Sequence, residues 1–377
     1  MNRALASSSL IVEDLNNASR THAFKLGYHP ELDGLRGVSI LLVLAHHLEL
    51  WSQWHGGFLG VDIFFVLSGF LITSLLLQEW QWSGRISLKR FYIRRVLRLM
   101  PALYLLMLLL GLYAFIFLDA KHAVNIYYSI LVTSLYASNW VLAFNYGYQL
   151  GPLAITWSLA IEEQFYLLWP SALTLALRLK LRERSIFFGL ALIILLIVLH
   201  RSMLWQEGAS ISRVYYATDT RVDSILTGCL AGLLVAWNFW PKMKRLGFYM
   251  RCLAIIAAIF AIYQIITASP RDGQWFAGRY ILFSLAIAQI ITVILLWPPK
   301  IALMVLRWEP LAWVGRISYG LYLWHWAILS LIFPRDGSQP SIFQMMEMVV
   351  FSFTAATLSF YLVEKPFLRW KRRFNVY

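Results

Sequence analysis

Two adjacent imidazoles close the apolar run Arg36-Gly-Val-Ser-Ile-Leu-Leu-Val-Leu-Ala-His46-His47. A neutral imidazole titrates near neutrality and is a natural acceptor for the proton of a hydroxyl. On a helix the eleven residues from Arg36 to His47 rise about 16 Å, which places His47 near the middle of a ~30 Å hydrocarbon core. Ionisable groups at such depth are costly, so His47 is a catalytic candidate, with a plain hydrogen bond to a neighbouring helix as the other reading. A basic cluster follows: Arg85, Lys89, Arg90, Arg94, Arg95 and Arg98. By charge alone it anchors a cytoplasmic loop. On a helix, however, Arg95 and Arg98 project from one face, where two guanidinium forks suit a phosphate or pyrophosphate. The chain has no G-x-x-x-x-G-K-[ST] loop, which argues against an ATP-driven motor.

A third group lies in Thr156-Trp157-Ser158-Leu159-Ala160-Ile161-Glu162-Glu163-Gln164-Phe165-Tyr166. The carboxylates of Glu162 and Glu163 cannot both stay ionised and unpaired in lipid, so one or both should face a hydrated cavity. There they would orient an imidazole, bind acceptor hydroxyls, or pair with an arginine. The spacing of Asp219 and Asp223 puts both carboxylates on one helical face with Arg221 beside them, which suits an interhelical ion network better than a catalytic site. In Ser318-Tyr319-Gly320-Leu321-Tyr322-Leu323-Trp324-His325 a second His lies in an apolar run, and the small residues beside it suit close helix packing. Glu364, beside Lys365 and Pro366, reads as a structural ion pair. Two cysteines, Cys229 and Cys252, exclude a disulfide framework and a Cys-rich metal site, and no metal is expected.

Such groups need helices to carry them, and the composition supplies these. Apolar residues make up 60% of 377 and charged residues 14%, the latter against about 25% in soluble domains. With a mean hydropathy of +0.63, the chain reads as an all-α polytopic membrane helix bundle rather than a soluble, disordered or disulfide-rich protein. Eleven apolar runs stand out, near 38–54, 59–78, 99–118, 126–144, 154–177, 186–202, 222–238, 252–268, 280–297, 317–333 and 345–363. If 126–144 lies laterally or re-enters on the outer side, the other ten put 26 of the 33 Lys and Arg on one face, with both termini cytoplasmic. Letting that segment cross scrambles the sorting. The net charge of +14 then reflects retained cytoplasmic loops rather than nucleic-acid binding. No cleavable signal peptide is expected, because the polar arm at 1–36 mixes both signs and no small-residue cleavage pattern follows it.

Taken together, these blocks resemble the acyltransferase-3 family of bacterial membrane proteins, which O-acylate cell-surface carbohydrates and related acceptors. Arg36 and His47 match its pattern of a basic residue, ten residues, then His. Arg95 and Arg98 match its Arg-x-x-Arg pair within Phe91-Tyr92-Ile93-Arg94-Arg95-Val96-Leu97-Arg98-Leu99-Met100-Pro101. Gly60 to Phe70, Trp157 to Pro170, Thr218 to Asp223 and Ser318 to Trp326 supply further blocks in order.

The resemblance implies an acyl-CoA donor, most often acetyl-CoA, reached from the cytoplasm, and a sugar hydroxyl acceptor on the outer side of the bacterial inner membrane. On this reading Arg95 and Arg98 hold the CoA phosphates, Arg36 lies on the donor side, and His47 takes the acceptor proton, with Glu162 or Glu163 setting the imidazole tautomer; an acyl-His relay is the variant. The expected organisation is a cytoplasmic arm at 1–36, the membrane domain at 37–366 and a basic tail at 367–377. Many relatives carry an extracytoplasmic esterase-like domain of the SGNH type. With fourteen residues after Val363, the expectation is a membrane domain acting alone or with a separate extracytoplasmic partner. The rival reading is a transporter or flippase for a glycolipid or small solute, which calls for inverted repeats with broken spans; none is evident.

Overall fold

In lipid the backbone finds no water to bond, so apolar runs fold as helices that satisfy their own amides. The computed structural model describes residues 26–48, 55–145, 150–240, 243, 245–270, 272–332 and 341–374, and among these there is no strand. In chain order the helices are α1 Pro30–His47, α2 Gly60–Ser83, α3 Leu88–Phe117, α4 Ala120–Ser134, α5 Ser138–Phe144, α6 Trp157–Arg178, α7 Glu183–Gln206, α8 Ile211–Tyr216, α9 Thr218–Arg221, α10 Asp223–Ala236, α11 Leu246–Thr267, α12 Tyr280–Leu296, α13 Lys300–Leu306, α14 Glu309–Arg316, α15 Ser318–Ile332, α16 Ile342–Ser359 and α17 Lys365–Lys371. The chain is a multi-pass membrane helix bundle.

Among the described residues, six segments are long and apolar enough to cross a membrane: Gly56–Ser83, Leu88–Phe117, Glu183–Gln206, Leu246–Thr267, Trp275–Leu296 and Ile342–Lys371. The other four expected spans correspond to α1, α6, α10 and α15. Two of these carry three charges each, Glu31, Asp33 and Arg36 in α1 and Glu162, Glu163 and Arg178 in α6; α10 and α15 are short, at 14 and 15 residues. The run at 126–144 does not continue as one helix. It breaks at Tyr136, with φ of 52°, into α4 and α5, so it cannot cross as a single span. Asp119 caps α4: the backbone N–H and the ring nitrogen of His122 both approach its carboxylate, at 3.0 and 2.7 Å, and hold that carboxyl below its usual range.

Burial separates centre from rim. In α2, 78% of the most apolar window is buried, against 17% in α7 and in α11, whose outer faces suit lipid. The central contact is α2 against α10, where small residues let two backbones meet. A Cβ on Gly69 would lie 1.9 Å from the Ile225 carbonyl oxygen, and one on Gly228 would lie 2.0 Å from that of Val66. Gly228→Leu is therefore expected to cost about 3 kcal/mol or more and to lower the melting temperature of the detergent-solubilised protein. Gly189→Leu, whose Cβ would meet nothing within 4 Å, is the control, and equal melting of the two would refute the packing argument.

Two buried ion pairs bolt the same region. Arg221 donates to both oxygens of Asp62, at 3.0 and 3.1 Å, across α9 and α2, while Arg201 of α7 donates to both oxygens of Asp223, at 2.8 and 2.9 Å. All four side chains are fully buried. Asp219 turns elsewhere, to Arg213 and His200. Asp219, Arg221 and Asp223 thus build the interhelical ion network expected of them. The chain changes from α9 to α10 at Val222, and each charge meets a different partner.

Candidate active site

The expected span at 38–54 is corrected by the structure. Pro30, whose missing N–H costs nothing in a first turn, starts α1 eight residues early, and the helix ends at His47, with Leu48 as its C-cap. The two imidazoles therefore stand in the last turn of α1 and not in mid-helix. Residues 49–54 lie outside the described residues.

α15 brings the second membrane histidine to the first. His47 Nδ1 lies 3.0 Å from His325 Nε2, and His325 Nδ1 lies 2.9 Å from the Leu321 carbonyl oxygen one turn earlier in its own helix. The rings stack with centroids 5.2 Å apart, and Trp326 meets His47 edge-on at 4.8 Å. Glu162 and Glu163 do not hold this imidazole, which corrects the tautomer role expected of them. Glu162 accepts hydrogen bonds from Ser68 Oγ at 3.0 Å and Tyr166 OH at 2.8 Å, and Glu163 makes no hydrogen bond among the described residues. At Gly320 an added Cβ would lie 2.9 Å from the carboxylate of Glu364 and at ordinary contact distance, 3.5 Å, from the Ala356 carbonyl oxygen. Glu364 is buried in the turn Phe360–Glu364 and accepts from Ser359 Oγ at 3.2 Å. Lys365 instead lies over the Tyr361 ring, so Glu364 is not the ion pair expected.

Three cavities lie in succession between the basic cluster and the histidines, each sharing at least one lining residue with the next. The first, about 380 Å³, opens among Gln78, Glu79, Arg94, Arg95, Arg98 and Lys371. It shares Leu75, Arg95 and Arg98 with a second of about 160 Å³, lined also by Arg36, Ser68, Glu162, Tyr166, Ser318 and Tyr322. That one shares Val61 with a third of about 290 Å³, which holds His46 and His47 among Trp157, Tyr215, Tyr216 and Trp326. Helical spacing explains the walls. Ser158, Glu162 and Tyr166 recur every four residues on one face of α6, and Val61, Phe64, Ser68, Leu71 and Leu75 recur every three or four on α2.

The first two cavities are rich in cations, Arg95 and Arg98 lining both and Arg36 the second. Arg94 is occupied, donating to the Phe374 carbonyl oxygen at 2.9 Å and to Glu79 at 3.4 Å. Arg36, Arg95, Arg98 and Lys371 make no ion pair within 4 Å among the described residues; Arg95 instead stacks 4.4 Å over the Tyr166 ring. Among the described residues, Arg36 Nε and Ser318 Oγ, which belong to residues lining the second cavity, have no hydrogen-bond partner. Clustered cations facing a void suit an anion.

Sequence reasoning did not assign roles to His325, Ser68, Tyr166, Tyr322 or Lys371. A signal existed for two of them, since Tyr166 follows Glu162 by one helical turn and His325 is ionisable in an apolar run. The pairing of His47 with His325, 278 residues apart, carried none.

A domain family described as Acyltransferase domain matches residues 29–364, most of the chain. The chain belongs to the acyltransferase-3 family. Among its relatives, the peptidoglycan O-acetyltransferase OatA of Listeria monocytogenes is 36% identical over 361 residues, covering 92% of this chain and 57% of OatA. YrhL of Bacillus subtilis, provisionally named a peptidoglycan O-acetyltransferase, is 33% identical over 90% of this chain and 55% of its own length. A provisionally named O-acetyltransferase of Staphylococcus aureus is 34% identical over 91% and 58%. The chain thus spans rather more than half the length of these relatives. No solved structure matches it.

Proposed function

We propose that the protein is an integral-membrane O-acyltransferase of the bacterial cytoplasmic membrane that moves an acyl group, acetyl in the first instance, from cytoplasmic acyl-CoA to a hydroxyl of a cell-wall carbohydrate. The observation that carries this reading is the chain of adjoining cavities, cationic at one end and aromatic with a histidine pair at the other. Arg95 and Arg98, with Lys371 beside them, take the donor phosphates at the mouth that the positive-inside rule assigns to the cytoplasm. The pantetheine arm lies past Arg36, Glu162 and Tyr166. The acceptor sugar enters from the opposite end, its C–H faces against Trp157, Tyr215 and Tyr216, whose rings lie 5.1 and 5.2 Å from the first.

His47 then removes the proton from the acceptor hydroxyl as its oxygen attacks the thioester carbonyl. The C–S bond breaks, the ester forms, and the imidazolium returns the proton to the leaving sulfur, so CoA departs as a thiol. The names of the relatives favour peptidoglycan as the acceptor, whether the sugar is reached directly or through a separate extracytoplasmic partner. Mass spectrometry of cell-wall fragments from cells with and without the protein is expected to show acetyl-ester adducts only in its presence. Identical spectra, with the protein expressed, would overturn this acceptor assignment.

A further inference from the structure

We propose that His325 is the positioning residue for the general base, holding His47 in the one tautomer that leaves its Nε2 free of a proton; this rests on His47 being the proton acceptor, as argued above. The Leu321 carbonyl oxygen, 2.9 Å from His325 Nδ1, only accepts, so that nitrogen carries its hydrogen. His325 is fully buried, and no carboxylate contacts the pair among the described residues, so a second proton on the ring would be an uncompensated buried charge. Its Nε2 is therefore a lone pair, and at 3.0 Å it accepts from His47 Nδ1–H. A neutral His47 protonated on Nδ1 must present its own lone pair on Nε2. His47 lines the aromatic cavity, and Trp326 packs edge-on against its ring.

The arrangement does with a neutral ring what a buried carboxylate does for the base of a hydrolase triad: it sets the tautomer and accepts a hydrogen bond from the imidazolium. During transfer the acceptor O–H breaks, its proton joins His47 Nε2, and His47 Nδ1–H strengthens its bond to His325. His325 keeps its own proton throughout, because Leu321 anchors it. The anchor is a carbonyl of the same helix, one turn away, so the geometry depends only on α15 and on the approach of α1.

The test compares His325→Leu with His325→Gln in the full-length protein in membranes, using labelled acetyl-CoA and soluble peptidoglycan fragments. Glutamine places its Oε1 near where Nε2 stood and accepts from His47 Nδ1–H; leucine fills the space without accepting. Leucine is expected to lower kcat by about 100-fold or more with the acetyl-CoA KM within about threefold, and glutamine to restore at least about tenfold of that loss. Leucine activity within about threefold of the native protein would overturn the proposal. So would equal losses in both variants, or loss of acetyl-CoA binding in both, since each makes His325 a packing residue. Undiminished transfer by His47→Ala brings down the base assignment itself, whereas an inactive His47→Ala beside an active His325→Leu brings down only the role of His325.

Discussion

His47→Ala is expected to lower acetyl transfer by about 10³-fold at equal expression while moving the acetyl-CoA KM by less than about threefold, as read from labelled acetyl-CoA turnover in membranes. The asymmetry follows from where the ring sits. His47 lines the aromatic cavity and not the cationic one, so its loss removes the proton acceptor without touching the phosphate forks. Without it the acceptor must ionise unaided in a site lined by aromatic and aliphatic side chains, where an alkoxide is costly. His46 lines the same cavity but lies 5.4 Å from His47 and packs against Phe58, away from the bond to His325. His46→Ala is therefore expected to retain far more activity than His47→Ala. Transfer by the His47 variant within about tenfold of the native protein would remove the general base from the scheme.

Arg95→Leu and Arg98→Leu act on the other term. A hydrogen bond from a guanidinium to a phosphate contributes about 1.5–3 kcal/mol, so each substitution is expected to raise the acetyl-CoA KM by roughly 10- to 150-fold with a smaller change in kcat. Lysine at either position keeps the charge but not the planar fork, and its KM should fall between the two. Arg94→Leu separates donor binding from scaffold. Arg94 is already committed to Glu79 and to the Phe374 carbonyl, so its loss should lower thermal stability and leave KM nearly unchanged. Added salt should weaken acetyl-CoA binding in the native protein, because part of that attraction is exposed at the mouth and is screened. A double Arg95→Leu, Arg98→Leu variant with the native KM would show that these forks hold no donor.

The two arginines show how far spacing alone reaches. A pair three residues apart on a helix must share a face, and both do line the same two cavities. What spacing does not tell is which of six neighbouring cations is spent on structure. Arg94 is indistinguishable from Arg95 in the sequence, yet its guanidinium meets Glu79 fifteen residues earlier and the chain end 280 residues later. Similarly, the two carboxylates of Glu162-Glu163 signalled a hydrated cavity, and Glu162 lines one. Their separation from the imidazole depends on how α6 seats against α2, where Ser68 and Tyr166 take the Glu162 oxygens.

By itself the sequence determined the all-helical class, the number and order of the apolar runs and the ionisable residues they carry, because lipid forces every crossing to be helical and makes each buried charge conspicuous. It also told that 126–144 is unlike the rest, and the chain breaks there at Tyr136. Only the tertiary structure decided the end of α1 at His47, the diversion of Glu364 from Lys365 to Ser359, and the meeting of His47 with His325. The reason is range. Helical periodicity reports neighbours within a turn or two, whereas these contacts join residues brought together by the packing of separate helices, and hydropathy is blind to which faces will touch.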